Sequence, residues 1–403
     1  MKPVFLELAG RGISGVNTFV AALMDGLRSR GFEVGLIDNS GPIRVDALPT
    51  GVTEADIALC TDPDDGRRRQ RQRLVEFLSR SPPSVVLPSL GRGADVVPLL
   101  PDHVHCVYVV HSDDPRFHRC SLRLGPWFDA IVGVSEFLAS YTGLLLPEAS
   151  ARIRHIPYGV PAVEAPPKPR TSETSAPLEI IYCGRLVHEQ KRVLDLIALA
   201  RLLRSEGVDA RLAILGDGPD LAPIRQALED EIAAGTVCLT GRLDGRSTQS
   251  RLRRGDIFVL PSLFEGLPLA LLEAMSVGCV PIVGDIASGV GQLVREGETG
   301  FLVMPGDVAS FAARIKTLCG DRELLRRLSR AATSAASQRC YTDAGMTAGY
   351  AELFDNMSSE AWPRRTQRRP ISAAEAGRLF EPPPPAERVV PIRLLRLVRR
   401  LLR

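Results

Sequence analysis

The chain has 403 residues, is 45% hydrophobic and 24% charged, and carries a formal net charge of +3. At roughly 100 to 200 residues per domain this length favours two globular domains, and so much apolar surface excludes wholesale disorder. No run of about 18 uncharged apolar residues occurs, and Glu7 interrupts the N-terminus before a signal-peptide core could form, so neither secretion nor membrane spanning is expected.

An apolar strand over 4–8 opens the chain. The glycine-containing loop Gly10-Arg11-Gly12-Ile13-Ser14-Gly15 follows, then an amphipathic helix over 16–30 and a strand over 33–37. Strand, glycine loop, helix and strand in this order make the first unit of a parallel α/β sheet. Further strands are predicted over 84–87, 104–110 and 130–134. The charge run over 62–73 reads as a solvated helix or loop. His103 and His105 share one strand face, but no further ligand follows at a metal-type spacing, and packing is their reading.

Residues 163–177 are rich in Pro, Ser and Thr and lack an apolar period, which marks a linker between domains 1–162 and 178–340. Beyond it strands are predicted over 178–183, 211–215, 236–239, 256–260, 279–283 and 300–303, with helical periodicity mostly between them. Such repeated β/α units build a second parallel sheet, whose ligands belong outside the carboxyl ends of the strands. The pattern is helical over 321–357, with 341–360 read as a C-terminal helix.

The eight cysteines are scattered singly, without a C-x-x-C pair, and read as reduced and mostly buried, Cys238 in an apolar run among them. The tail, 361–403, holds eleven arginines against three glutamates, a net +8 that leaves −5 for the rest. A mildly acidic body argues against a nucleic-acid surface and places any polyanion contact at the C-terminus. Within 391–403 leucines and Val398 share one helical arc and arginines fill the other. This is read as an interfacial helix on an anionic membrane, with a partner-binding helix or a disordered tail as alternatives.

The segment 260–278 runs from a strand end into a helix. Pro268 suits a first helical turn and Gly278 a left-handed cap, which starts the helix just after Glu265. Backbone amides near Gly266 and Leu267 then form an anion site reinforced by the helix dipole. Glu265 lies on the loop and Glu273 on the helix, where carboxylates can accept hydrogen bonds from sugar diols.

Glu265 and Glu273 in E-x7-E spacing, Gly184-Arg185-Leu186-Val187-His188-Glu189-Gln190-Lys191, Gly216-Asp217-Gly218-Pro219 and Gly297-Glu298-Thr299-Gly300-Phe301-Leu302-Val303 together resemble the retaining glycosyltransferases of family four. The likeness covers nearly all of 178–307 and reaches back to Ile156-Pro157-Tyr158-Gly159-Val160. It implies the GT-B fold, two Rossmann-like domains facing across a cleft, here with a basic C-terminal tail. It also implies hexosyl transfer from a nucleotide-sugar donor to a saccharide or lipid-linked acceptor, without metal or other cofactor and without nucleic acid. In that likeness Arg185 and Lys191 match the basic pair on the donor diphosphate, Glu273 the residue holding the ribose, and Glu265 the carboxylate beside the transferred sugar. His111 resembles the family's histidine at the donor sugar, and Gly15 its loop glycine near the phosphates. Ser14 stands where the family has a second adjacent glycine, and Gly291-Gln292 where it commonly has Pro-Glu.

The expected protein is a cytoplasmic enzyme of cell-envelope polysaccharide or glycolipid assembly, with the tail attaching it to the inner face of the membrane. A sugar-nucleotide epimerase on the same fold and a catalytically idle membrane-associated scaffold are the alternatives.

Overall fold

The computed structural model describes residues 2–8, 14–38, 52–60, 66–90, 92–162, 177–367 and 370–371. The chain divides into two compact units, 1–159 with 343–403, and 160–342. Of the expected linker only Pro177 is described, and the terminal run 391–403 lies outside the described residues.

In the first unit the elements are β1 (Val4–Glu7), α1 (Gly15–Ser29), β2 (Val34–Asp38), β3 (Ile57–Cys60), α2 (Arg67–Arg80), β4 (Ser84–Leu87), α3 (Arg92–Val96), β5 (Val104–Val110), α4 (Pro115–Leu124), β6 (Ala130–Gly133), α5 (Glu136–Leu145) and β7 (Ile153–His155). All seven strands are parallel, in the order β3-β2-β1-β4-β5-β6-β7. The central strands are buried on both faces, as the continuous apolar run of β5 requires once helices cover the sheet. The Ser14 hydroxyl caps α1 by accepting from the Asn17 amide at 3.1 Å. The charge run of 62–73 continues into α2, and residues 61–65 lie outside the described residues. The strands β3 and β7 are additions to the sequence reading. Both are short edge strands, four and three residues long; β7 carries Arg154 and His155, while the apolar run Ile57–Cys60 of β3 is too short to mark a strand by itself.

The second unit holds β8 (Leu178–Cys183), α6 (His188–Lys191), α7 (Asp195–Ser205), β9 (Ala210–Leu215), α8 (Leu221–Ala227), α9 (Glu229–Ala233), β10 (Val237–Gly241), α10 (Gly245–Leu252), β11 (Ile257–Leu260), α11 (Leu269–Ser276), β12 (Val280–Gly284), α12 (Val290–Leu293), β13 (Phe301–Val303), α13 (Val308–Gly320) and α14 (Arg322–Ala336). Its six strands are parallel in the order β10-β9-β8-β11-β12-β13. Gly278 has φ +91° just beyond α11, the left-handed stop its position predicts. The last helix, α15 (Asp343–Met357), returns to the first unit and packs on α1, where Tyr350 meets Phe19 with ring centroids 5.7 Å apart.

All eight cysteines are free thiols. Only Cys106, Cys120 and Cys279 are buried, which corrects the expectation of mostly buried cysteines. Cys238 is exposed because β10 is an edge strand and this position faces outward. Among the described residues no helix is long and apolar enough to cross a membrane.

Candidate functional site

In both sheets the strand order reverses once, between β1 and β4 in the first unit and between β8 and β11 in the second. At such a reversal the loops leaving neighbouring strands diverge and open a crevice at the carboxyl ends. The singled-out polar residues of the second unit lie on the loops and helices after β8 and β11.

After β8, the chain passes Gly184 and Arg185 into the single turn of α6, which ends at Arg192 in the left-handed conformation, φ +51°. Three contacts fix this path. The Tyr182 hydroxyl donates to the Arg185 carbonyl at 3.0 Å, the Leu186 amide donates to the Asp217 carbonyl at 2.9 Å, and the His188 amide donates to the Asp220 carboxylate at 2.7 Å. The neighbouring turn 216–219 must come close for this. A Cβ built on Gly216, whose φ is +143°, would lie 1.9 Å from the Gly184 carbonyl oxygen, so only glycine fits there.

The loop after β11 carries Glu265 against this segment. Lys191 Nζ donates to Glu265 Oε1 at 2.6 Å, with the two side chains only 16% and 6% exposed. Gln190 laces the loops together: its carbonyl accepts from the Leu263 amide at 2.8 Å and its Nε2 donates to the Phe264 carbonyl at 3.3 Å. Its Oε1 accepts from Arg185 Nη2 at 3.1 Å, so the Arg185–Gln190 and Lys191–Glu265 pairs stand side by side on adjacent residues of α6. Glu273, half-buried on α11, and Lys191 both act on Cys183 at the end of β8. Burial, reinforced by the Glu273 charge, pushes that thiol up to about 12. Burial and then the Glu265 charge raise the Tyr182 hydroxyl well above its ordinary value, which keeps it a neutral donor to Arg185.

The start of α11 corrects the sequence reading. Pro268 is the N-cap, with φ −67° and ψ 109°, and its carbonyl accepts from the amides of both Leu271 and Leu272 at 3.1 Å. Gly266 and Leu267 therefore sit in the buried loop that leads into the helix instead of in its first turn. The Gly266 carbonyl accepts from the Gly289 amide at 2.6 Å, which fixes that loop on the segment before α12.

In the first unit His111 follows β5 directly. Its Nδ1 lies 2.5 Å from the Tyr158 hydroxyl, and the rings of Phe19, Phe117 and Tyr158 surround it at centroid distances of 5.3, 5.9 and 5.9 Å. Burial lowers its pKa to about 3, so the imidazole is neutral at physiological pH. A small cavity reaches from His111 to Glu7 and Ser89, at the reversal of strand order. Glu7 is only 4% exposed at the end of β1 and accepts from the Ser89 amide at 2.6 Å. Gly15 is the exposed first residue of α1, while 9–13 lie outside the described residues. His105 is engaged structurally, 3.1 Å from Lys2 Nζ and 3.9 Å from Asp129. Among the described residues no group of three or more His, Cys, Asp or Glu is placed to hold a metal ion.

Sequence reasoning had passed over four residues that organise these sites: Tyr182, Gln190, Glu7 and Tyr158. Gln190 and Tyr158 lay inside motifs already quoted, whereas Glu7 and Tyr182 read as ordinary strand positions. Their signal is a polar group near the carboxyl end of a strand beside the reversal, which needs the strand order to be visible.

Two Rossmann-like α/β units, each with polar side chains gathered at the reversal of its sheet, define the doubly wound α/β class, in which ligands bind outside the carboxyl ends of the strands. The comparisons with known proteins give the family. Residues 168–335 match the glycosyl transferases group 1 and residues 13–163 match glycosyltransferase family 4. The sulfoquinovosyl transferase SQD2 of Arabidopsis thaliana is 35% identical over 163 residues, 40% of this chain and 30% of that protein. A putative colanic acid biosynthesis glycosyltransferase, WcaL of Salmonella typhimurium, is 36% identical over 145 residues, 34% of this chain and 35% of that protein. The matches thus span about a third of the length of these curated relatives. Anabaena HepE, solved in complex with UDP, superposes with a TM-score of 0.66 at 16% identity, covering 88% of this chain and 100% of that one. The chain belongs to the glycosyltransferases of GT-B architecture.

Proposed function

We propose that the chain is a retaining, metal-independent hexosyltransferase that moves a sugar from a nucleotide-sugar to a saccharide or lipid-linked acceptor. The observation that carries this reading is the Lys191–Glu265 pair, held at 2.6 Å where the loops after the adjacent strands β8 and β11 meet. A donor diphosphate entering here competes with Glu265 for Lys191. Arg185 and Lys191 then neutralise the leaving nucleoside diphosphate, the task a metal ion performs in other transferases. Glu265, released from the lysine, is free to accept from sugar hydroxyls and to stabilise oxocarbenium character in the transition state. We assign Glu273 to the ribose, and Gly266, Leu267 and Gly15 to the phosphates. His111, neutral and oriented by Tyr158, is a hydrogen-bonding partner for the donor sugar.

The complex of HepE with UDP supports a uridine nucleotide as the first donor base to try. The names of the two relatives, a sulfoquinovosyl transferase and a colanic acid glycosyltransferase, support a role in glycolipid or cell-envelope polysaccharide assembly. We place the enzyme in the cytoplasm, with 391–403 attaching it to the inner face of the membrane.

The test is a panel of nucleotide-sugars in a thermal-shift assay, followed by transfer with the stabilising donor in the presence of a chelator. A ligand at about 100 times its dissociation constant adds ~2.7 kcal/mol of apparent stability. The reading predicts such a shift, turnover that survives chelation, and a product with the donor's anomeric configuration by NMR. Inversion at the anomeric carbon, or activity lost to the chelator, overturns it.

A further inference from the structure

Left-handed backbone is open to glycine and costly for a residue with a Cβ, so a side chain found there is held by its surroundings. Arg192 is the one non-glycine residue with positive φ among those described, at φ +51° and ψ +37°. It stands directly after Lys191, at the end of the turn that carries the lysine.

The corner is tied from both sides. On the incoming side the amides of Lys191 and Arg192 donate to the Val187 and His188 carbonyls, each at 2.9 Å. On the outgoing side the Arg192 carbonyl accepts from the Asp195 amide at 2.9 Å, and the guanidinium grips the Asp195 carboxylate with two nitrogens. Its Nε donates to Oδ2 at 2.6 Å and its Nη2 to Oδ1 at 3.1 Å, the fork geometry that arginine forms with a carboxylate. The loop after β13 leaves room for this fork. Gly306 has φ +92°, and a Cβ built on it would lie 3.1 Å from Arg192 Nη2. A right-handed Arg192 would instead continue α6 and carry the fully buried Val193 out of its place. Adjacent side chains are thereby sent to different partners, Lys191 to Glu265 and Arg192 to Asp195.

We propose that Arg192 is a positioning residue for sugar transfer: its fork on Asp195 holds the backbone left-handed, and that corner aims Lys191 at Glu265. A lysine here would be a point charge unable to grip both carboxylate oxygens, and an alanine would keep the strained backbone with nothing to hold it. The consequence for transfer rests on the reading of Lys191 as a ligand of the donor diphosphate, whereas the aiming of Lys191 does not.

Glycine separates the corner from the charge, because it adopts left-handed backbone without needing the fork. The chain has four lysines, Lys2, Lys168, Lys191 and Lys316, so acetylation of the full-length protein by acetic anhydride can be followed at each of them by mass spectrometry. Lys191 should be acetylated about tenfold faster in Arg192→Ala and Arg192→Lys than in the wild type, and within about twofold of the wild type in Arg192→Gly. Lys316, which donates to Glu206 at 2.9 Å in the same unit, should keep its rate throughout, which a general loosening of the unit would not allow. Asp195→Asn should act like Arg192→Ala in the wild-type background and add nothing to Arg192→Gly. In calorimetry with UDP, the Kd should rise about tenfold in the alanine and lysine variants and stay within about threefold in the glycine variant. Lys191 unaltered in Arg192→Ala, or as reactive in Arg192→Gly as in Arg192→Ala, overturns the positioning role. Lys191 protected in Arg192→Gly while UDP binding is lost also overturns it and makes the guanidinium itself a nucleotide contact. Glycine rescue of Lys191 protection in a protein whose wild type ignores UDP upholds the corner and counts against the uridine donor alone.

Discussion

At the scale of single residues, the Lys191–Glu265 pair shows how position converts ordinary side chains into a site. Either residue alone on a loop would be solvated and nearly neutral in energy. Enclosed together, each carries the other's desolvation penalty, and removing one partner leaves an unpaired charge that costs about 3 kcal/mol. We expect Lys191→Met to destabilise the second unit by roughly that amount in urea unfolding. Lys191→Met/Glu265→Gln should recover most of the loss, while both variants lose transfer by at least ~100-fold. A double variant no more stable than the single one would show that the pair is not coupled.

His111 makes a second prediction. Its pKa is about 3 in the folded protein against an ordinary 6.5, so below pH 6.5 the unfolded chain takes up a proton that the folded chain refuses. Stability is complete above 6.5 and falls by about 1.4 kcal/mol per pH unit as pH drops toward 3. His111→Phe should flatten the pH dependence of the unfolding midpoint by that slope, and an unchanged slope would refute the burial argument. The chemical identities of Arg185, Lys191, His111, Glu265 and Glu273 were legible in the sequence because their motifs are local. Their partners Gln190, Tyr158 and Tyr182 were not singled out, because a hydrogen-bond partner is chosen by the fold.

At the scale of elements, long central strands were predicted within one or two residues, since burial on both faces writes a continuous apolar run into them. Edge strands β3 and β7 escaped because they are only four and three residues long, too short for an apolar pattern to mark them as strands. The start of α11 was misplaced by a few residues because proline serves either as N-cap or as first helical residue, and sequence alone does not choose. The 184–186 segment and the 216–219 turn approach each other closely. Gly216→Ala sets a methyl group against the Gly184 carbonyl in a backbone conformation that L residues rarely adopt. We expect a loss of about 2 kcal/mol in the second unit and a smaller nucleotide-induced thermal shift, since Arg185 must move with that carbonyl. Wild-type stability and an unaltered shift would show that the turn does not position the arginine.

For the whole molecule, chain order and spatial order part company. The helix α15 follows the second unit in sequence yet belongs to the first, and the segment after it is tied to the same unit. Arg365 there bonds Asp102 and Asp129, the latter at 2.8 Å, while Trp362 Nε1 donates to the Asp129 carbonyl at 3.0 Å and Arg154 lies over its ring at 4.5 Å. Arg365→Ala should lower the stability of the first unit by about 2 kcal/mol in urea, because buried Asp129 loses a cationic partner. An unshifted midpoint would mean the segment lies on the unit without supporting it.

By itself the sequence determined the class of fold, two parallel α/β sheets, and the residue types of the candidate site. Hydrophobic periodicity and short motifs are local properties, and they survive without knowledge of what packs against what. Only the tertiary structure decided the order of the strands, and with it the pairing of Lys191 with Glu265, the small cavity at Glu7 and the return of α15. These depend on contacts between residues far apart in the chain, where the free energy of burial and charge pairing is set by neighbours that no local pattern names.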